Sequence, residues 1–173
     1  MKNESGQSLG EFFDKQLERT NYWLSFAEAK NAALVAFNIA AIAFIAEFLK
    51  DLPCFSTVIM IVFIASSLVC LRSFLPNDTS RPKSGPKFLP TDNLLFWKDI
   101  AYSENEEKYM EHVISRYFPS AVVDDTEKQL YTDFCSEIVI NSRIAMSKYN
   151  LFTLALRIDC LGFLLSVVLL ILA

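Results

Sequence analysis

The stretch FSTVIMIVFIASSLVCLRSFL, residues 55–75, decides the fold because only one of its residues, Arg72, is charged. As an α-helix rising 1.5 Å per residue, it is about 31 Å long. The hydrocarbon core of a bilayer is about 30 Å thick, so this length matches one crossing. We therefore expect a transmembrane helix here.

Two further stretches share this apolar character: NAALVAFNIAAIAFIAEF at residues 31–48, and the segment from about residue 151 to residue 173. The chain of 173 residues is 53% hydrophobic, with a mean hydropathy of +0.29, which is high for a soluble domain. The alternative is a soluble protein with three buried helices, but so small a domain has too little mass to cover them. The sequence thus predicts an all-α integral membrane protein with three transmembrane helices.

The spans and the polar sequence around them divide the chain into four parts. A long polar segment with helical patterning separates the second span from the third. We expect an N-terminal helix, a pair of spans, a cytoplasmic helical insert and a last span, at residues 1–30, 31–75, 76–148 and 149–173.

The N-terminal part is predicted to be an amphipathic helix that starts at Leu9 and reaches about Ala27. Ser8 and Glu11 have the S-x-x-E spacing of a capping box. No helix breaker follows, so this helix is expected to run directly into the first span. It lies on the membrane surface or packs in an assembly, or it is an ordinary cytoplasmic extension. Its apolar positions recur at helical intervals: Leu9, Phe13, Leu17, Leu24 and Ala27.

The charge distribution predicts the orientation of the spans. The formal net charge is −4, which argues against general nucleic-acid binding. Most basic residues lie before the first span or between Arg72 and Lys148, and the short loop between the first two spans holds only Lys50. By the positive-inside rule, the N-terminus and the insert are cytoplasmic and the C-terminus lies outside.

Within the insert, PNDTSRPKSGPKFLPTD at residues 76–92 has the composition of an extended linker. NLLFWKDIA, from Asn93, is expected to be a short helix or strand. Ser103 and Glu106 have capping-box spacing and predict the start of a helix that ends before Pro119. Asp124 or Asp125 then caps a last helix, which is expected to run unbroken to the end of the chain.

Polar side chains within the spans point to contacts or to a wet path, because amides and charges are costly against lipid. Asn31 and Asn38 lie seven residues apart and share a helix face with Glu28. They form either interhelical hydrogen bonds or a pore-lining stripe. Arg157 and Asp159 place two charges in the third apolar stretch, either at the cytoplasmic interface or facing a wet interior.

Catalytic and metal-binding patterns are not evident in the sequence. The four glycines form neither a phosphate-binding loop nor a dinucleotide fingerprint, and the single histidine, His112, lies among charged residues. The four cysteines have no metal-binding spacing. We expect no enzyme activity, no metal and no cofactor in the ordinary sense.

The stretch FAEAKNAALVAFNIAAIAFI resembles the opening of the Pycsar effector transmembrane domain, a family with a pattern close to F-A-D-x-K followed by an Asn within the span. Glu28 stands where the family more usually has Asp. The resemblance extends from about Gln16 to the end of the chain, through Phe74-Leu75-Pro76, the aromatic turn at Leu95-Phe96-Trp97 and the pair Lys148-Tyr149. The matching positions of the opening motif are Phe26, Ala27, Glu28, Lys30 and Asn38.

The resemblance implies an antiphage effector of the bacterial inner membrane. Such proteins respond to a nucleotide signal from a partner cyclase or nucleotidyltransferase and then permeabilise the membrane. The similar small effector of the Hailong system implies the opposite control, in which short DNA oligomers hold an oligomeric channel closed. Basic residues of the linker and insert are the candidates for binding such a nucleotide: Lys83, Lys87, Lys98, Arg116, Lys128, Arg143 and Lys148.

Three spans are too few to enclose a pore alone, so a channel of this kind is expected to be a homo-oligomer in the lipid bilayer. The alternative is a non-conducting, membrane-anchored protein that recruits a partner through its insert. Both hypotheses use the same spans, and the sequence does not separate them.

Overall fold

The computed structural model describes residues 8–75 and 92–172. Within these ranges all regular structure is α-helical, which confirms the predicted all-α class. Three of the helices are long and apolar enough to cross a membrane, again as predicted. The helices are α1 (Leu9–Phe48), α2 (Pro53–Arg72), α3 (Trp97–Ile100), α4 (Glu106–Tyr117) and α5 (Asp125–Leu172).

The amphipathic N-terminal helix and the first span form one continuous helix, α1. The predicted capping box starts it: Ser8 N donates to Glu11 Oε2 at 3.1 Å, and Glu11 N donates to Ser8 Oγ at 3.2 Å. These two bonds satisfy backbone donors that a helix start otherwise leaves unpaired. Helix α2 begins with Pro53 at its first turn, where the missing N–H costs nothing.

The predicted start of α4 at Ser103 is wrong. Asn105 is the N-cap, with extended backbone, and its Oδ1 accepts from Lys108 N at 2.8 Å. Asn caps a helix as well as Ser does. The S-x-x-E spacing of Ser103 and Glu106 therefore did not exclude a helix start two residues later, at Asn105. Ser103 instead is buried, and its carbonyl oxygen accepts from Arg143 Nη2 at 2.9 Å.

The segment from Asn93 forms a turn and then the short helix α3. Asn93 Oδ1 accepts from Leu95 N at 2.9 Å, and Asp99 Oδ2 accepts from Asn93 N at 3.1 Å. These side-chain bonds shape the turn before the four-residue helix. Residues 76–91 of the predicted linker, with the cations Arg81, Lys83 and Lys87, lie outside the described residues.

The last helix is continuous over 48 residues, as predicted, and Asp124 is its cap. Asp124 Oδ1 accepts from Glu127 N at 2.8 Å. Helices α1 and α5 each contribute to both compact units of the chain. We call these the insert unit, with described residues 8–25 and 92–146, and the three-span unit, with residues 26–75 and 147–172.

The insert unit has an apolar core of the kind found in soluble proteins. Tyr109 lies at its centre with no exposed surface, and its hydroxyl donates to the Leu94 carbonyl at 2.9 Å. Burial raises the pKa of Tyr109 well above its ordinary value and also raises that of the buried Cys135 thiol. The core consists of Leu9, Phe13, Leu94, Ile100, Tyr109, Met110, Val113, Phe118, Cys135, Ile138 and Val139.

Candidate functional site in the three-span unit

A buried lysine ties the three spans together at one end of the bundle. Lys148 of α5 is 6% exposed, and its Nζ lies 3.0 Å from Glu28 Oε1 of α1. The same ammonium donates to the Ser73 carbonyl oxygen, at the end of α2, over 2.6 Å. A cation is favourable there because the carbonyls at a helix C-terminus are unpaired and carry partial negative charge. Lys148 therefore joins α1, α2 and α5.

Asn31 lies next to this junction and is also completely buried. Its Nδ2 donates to the Ala27 carbonyl at 2.9 Å and to the Lys148 carbonyl at 3.2 Å. The second bond links α1 to α5. Lys30, the residue before Asn31, lies against aromatic rings, with its Nζ 4.9 Å from the Phe26 centroid and 5.3 Å from that of Tyr149.

A second polar layer lies two helical turns further along α1. Asn38 is completely buried and its amide lies 3.1 Å from the Ser66 hydroxyl of α2. With its nitrogen toward Asp159 of α5, the amide donates to the carboxylate oxygens at 3.2 and 3.1 Å, and its oxygen accepts from the Ser66 hydroxyl. We assign this orientation because the reverse sets an amide oxygen against a carboxylate. Ser66 Oγ also lies 3.1 Å from the Ala155 carbonyl oxygen.

Both asparagines of the predicted stripe therefore bond to other helices of the same chain. Asp159 is only 4% exposed, so the second predicted intramembrane charge is also interior. Two amides and a hydroxyl in an apolar medium have few other partners, which makes these bonds specific for one packing of the helices. The interior polar groups serve contacts within the protomer.

The far end of the bundle is packed by apolar side chains. Ile59 and Phe63 of α2 pack with Ile45 and Leu49 in one cluster. Gly162 of α5 lies against α2 so closely that a Cβ there would stand 3.0 Å from Val62 Cγ1 and 3.4 Å from the Phe63 ring. This contact brings α2 and α5 together as small residues do in membrane helices.

Arg157 has the opposite environment to Asp159. Its side chain is exposed, although it lies within the apolar stretch of α5. Asp159 and the buried Ala155 face the other helices, and at 100° per residue Arg157 points to the opposite side of α5. The two intramembrane charges named from the sequence are thus separated, one inside the bundle and one on its outer surface.

Four of the seven nucleotide-binding candidates named from the sequence, Lys98, Arg116, Arg143 and Lys148, have different surroundings. Arg116 Nη1 donates to the Asp92 carbonyl at 2.7 Å, and Arg143 Nη2 donates to the Ser103 carbonyl. Lys148 belongs to the buried junction. Lys98, on α3, is exposed.

Sequence reasoning missed Ser66 and Ser73, which complete the two polar layers. Ser66 had a signal, since it and Ser67 form a serine pair in an otherwise apolar helix. A hydroxyl in a span is often bonded to its own helix, as Ser67 Oγ is to the Phe63 carbonyl at 2.9 Å. Ser73 acts through its backbone carbonyl, which no sequence pattern marks.

Comparison with known proteins agrees with this membrane architecture. A family model described as the Pycsar effector protein domain matches residues 12–173. No curated protein and no solved structure matches the chain. Since the match covers almost the whole chain, which carries three apolar helices long enough to cross a membrane, the protein belongs to the Pycsar effector family of antiphage membrane effectors.

Proposed function

We propose that several copies of this protein form a nucleotide-controlled channel that permeabilises the bacterial inner membrane and arrests the infected cell. The observation that carries the proposal is the exposed Arg157 in the third span. A lipid-facing arginine is costly, whereas one that borders a water-filled path between copies stays hydrated. A membrane anchor has no need of such a residue.

The interior of the protomer supports a path between copies rather than through one chain. Asn31, Asn38 and Asp159 are buried against neighbouring helices, and close contact at Gly162 joins two of the spans. A path through the bundle would have to separate these groups. A ring of bundles leaves them intact and encloses space at its centre.

Helix α1 supplies a surface suited to contacts between copies. Its alanines are exposed in the single chain and occur at three- and four-residue spacing, which lets a neighbouring helix approach closely in lipid. We propose that this face packs against the next copy. The exposed alanines of this face are Ala29, Ala32, Ala33, Ala36, Ala40, Ala43 and Ala46.

The family supports control by a nucleotide from a partner cyclase or nucleotidyltransferase, and we place its binding on the insert unit, on the cytoplasmic side. Of the four candidate cations, Lys98 and Arg116 are exposed, and we place the first phosphate contact at Lys98. Arg116 and Arg143 already donate to backbone carbonyls, and a nucleotide phosphate would have to compete with those bonds. A ligand shifts the channel only if it prefers the open or the closed state.

The test is ion flux from liposomes that contain the purified full chain. We expect flux to change when cyclic mononucleotides or short DNA oligomers are added. A rise indicates an opening ligand and a fall indicates a Hailong-like closing ligand. Lys98→Glu should weaken the response without changing flux in the absence of ligand, and Lys108→Glu serves as the surface-charge control.

The second function, a non-conducting anchor that recruits a partner through the insert, predicts a different result. Liposomes would remain ion-tight with every nucleotide tested, and the protein would stay monomeric in detergent and in crosslinking experiments. That pair of results would contradict the channel.

A further inference from the structure

We infer that the outer face of α5 lines the conducting path and that Arg157 makes the path prefer small inorganic anions. This inference rests on the proposed channel and adds which surface is wet and which ions pass. It replaces the Asn31 and Asn38 stripe as the lining, because those amides are buried within the protomer.

The outer face of α5 carries a row of polar side chains along the first half of the span, beside the exposed Leu154. Asn150, Thr153 and Arg157 are all exposed and follow one another at spacings of three and four residues. They therefore lie along one side of the helix, within about 60° of each other. A lipid-facing arginine needs no polar row beside it, whereas a water-filled vestibule does.

The three-span unit offers no carboxylate that would pair with Arg157 between copies. Asp159 is buried against Asn38, and Glu28 pairs with Lys148 at one end. Glu47 and Asp51 lie at the opposite end, at the turn between α1 and α2. Among the described residues of this unit, a second copy thus brings no exposed acidic side chain to the depth of Arg157. Rings of arginine or lysine select anions in membrane pores.

The same face becomes apolar beyond Arg157. Leu161 and Leu164 are 62% and 60% exposed, and Val168 continues the row. A ring of such side chains holds a narrow path dry, and a small widening admits water. The lining therefore consists of a cationic vestibule followed by an apolar constriction, which suits a path that is closed at rest.

The first test is ion preference in liposomes with unequal salt on the two sides. The wild-type reversal potential should show preference for chloride over potassium, and Arg157→Lys should retain it. Arg157→Glu should reverse the sign of the reversal potential. If Arg157→Glu conducts with unchanged preference, the inference is wrong.

The second test does not depend on conduction. One accessible cysteine is introduced at position 157 or 68 after the exposed Cys54 and Cys160 are changed to serine, while the buried Cys70 and Cys135 are kept. A membrane-impermeant thiol reagent is then added to the assembled protein. Leu68 is 61% exposed on α2 and lies at a similar depth, since Ser66 and Asp159 share one layer. We expect rapid labelling with Arg157→Cys and little with Leu68→Cys.

The two tests separate this inference from the proposed function. Absence of flux in every preparation contradicts the channel, and labelling then still decides whether the outer face of α5 is wet. Equal, slow labelling at both positions shows that the arginine reaches the headgroups from a lipid-facing position. That outcome overturns the inference.

Discussion

The insert unit and the three-span unit distribute their polar groups in opposite ways. The insert unit buries Phe13, Tyr109 and Ile138 and carries its charges outside. The three-span unit buries Asn31, Asn38 and Asp159 and exposes large apolar side chains. Each arrangement follows from the solvent. Water favours burial of apolar groups, whereas lipid offers polar groups no hydrogen bonds, so that they must find partners within the protein.

This difference shows which interactions specify each unit. Apolar burial stabilises the insert unit in proportion to area and tolerates small changes of shape. Lipid tails are as apolar as a leucine side chain, so burial gives little drive between spans. Close packing at Gly162 and the polar layers around Lys148 and Asp159 must supply the specificity there. Substitutions in the two units should therefore destabilise the protein for different reasons.

The largest effect is expected from Asn38→Leu. It leaves the buried Asp159 carboxylate without its amide donor, and a buried acceptor that loses its hydrogen-bond partner lowers the free energy of unfolding by about 3 kcal/mol. Unfolding in detergent should show this loss. The double variant Asn38→Leu with Asp159→Leu removes both partners and should recover part of the stability, whereas additive losses would show that the two residues are not coupled.

The next largest effect is expected from Gly162→Leu, which should lower the free energy of unfolding by about 2 kcal/mol because the larger side chain overpacks against Val62 and Phe63. The matched control is Gly162→Ala, whose single carbon requires only a small shift of neighbouring side chains. Thermal unfolding in detergent measures both. Equal stability of the leucine variant and the wild type would show that α2 and α5 do not approach closely at this position.

In the insert unit, Asn105→Ala should cost about 1 kcal/mol because it removes the N-cap of α4. Ser103→Ala is the control, since its hydroxyl does not cap the helix. A larger loss for Ser103→Ala than for Asn105→Ala would restore the helix start predicted from the capping-box spacing. Hydrogen exchange in the first turn of α4 gives the same comparison locally.

The smallest effect concerns thiol chemistry. Burial raises the pKa of Cys135, so at pH 8 its thiol stays protonated as well as inaccessible, and alkylation requires opening of the insert unit. The exposed Cys54 should react much faster. Mass spectrometry of the alkylated protein distinguishes them. Comparable rates at the two positions would mean that the core around Tyr109 opens readily.

Most of the fold was predictable because helix-forming and membrane-crossing signals are local. The three spans, the capping box at Ser8 and the unbroken α5 follow from composition and spacing. The start of α4 was misplaced because Asn105 and Ser103 are both good caps and only the folded chain selects between them.

The candidate site was less predictable because it depends on which faces meet. The sequence identified Asn38, Arg157 and Asp159 as unusual, but periodicity alone does not say that Asp159 points inward and Arg157 outward. Nor does the number of cations reveal that Arg143 and Lys148 bond to backbone carbonyls. Those facts depend on tertiary packing.

The most direct test of the central claim, that the path lies between copies along α5, is the resting leak of Leu164→Asn compared with that of Ile61→Asn. Leu164 and Ile61 are both more than half exposed. Gly162 of α5 packs beside Val62 of α2, so the two positions lie at a similar depth in the membrane. We predict that Leu164→Asn wets the constriction and raises nucleotide-independent ion flux from liposomes, while Ile61→Asn does not. Equal flux from both variants, or a leak only from Ile61→Asn, would contradict the account.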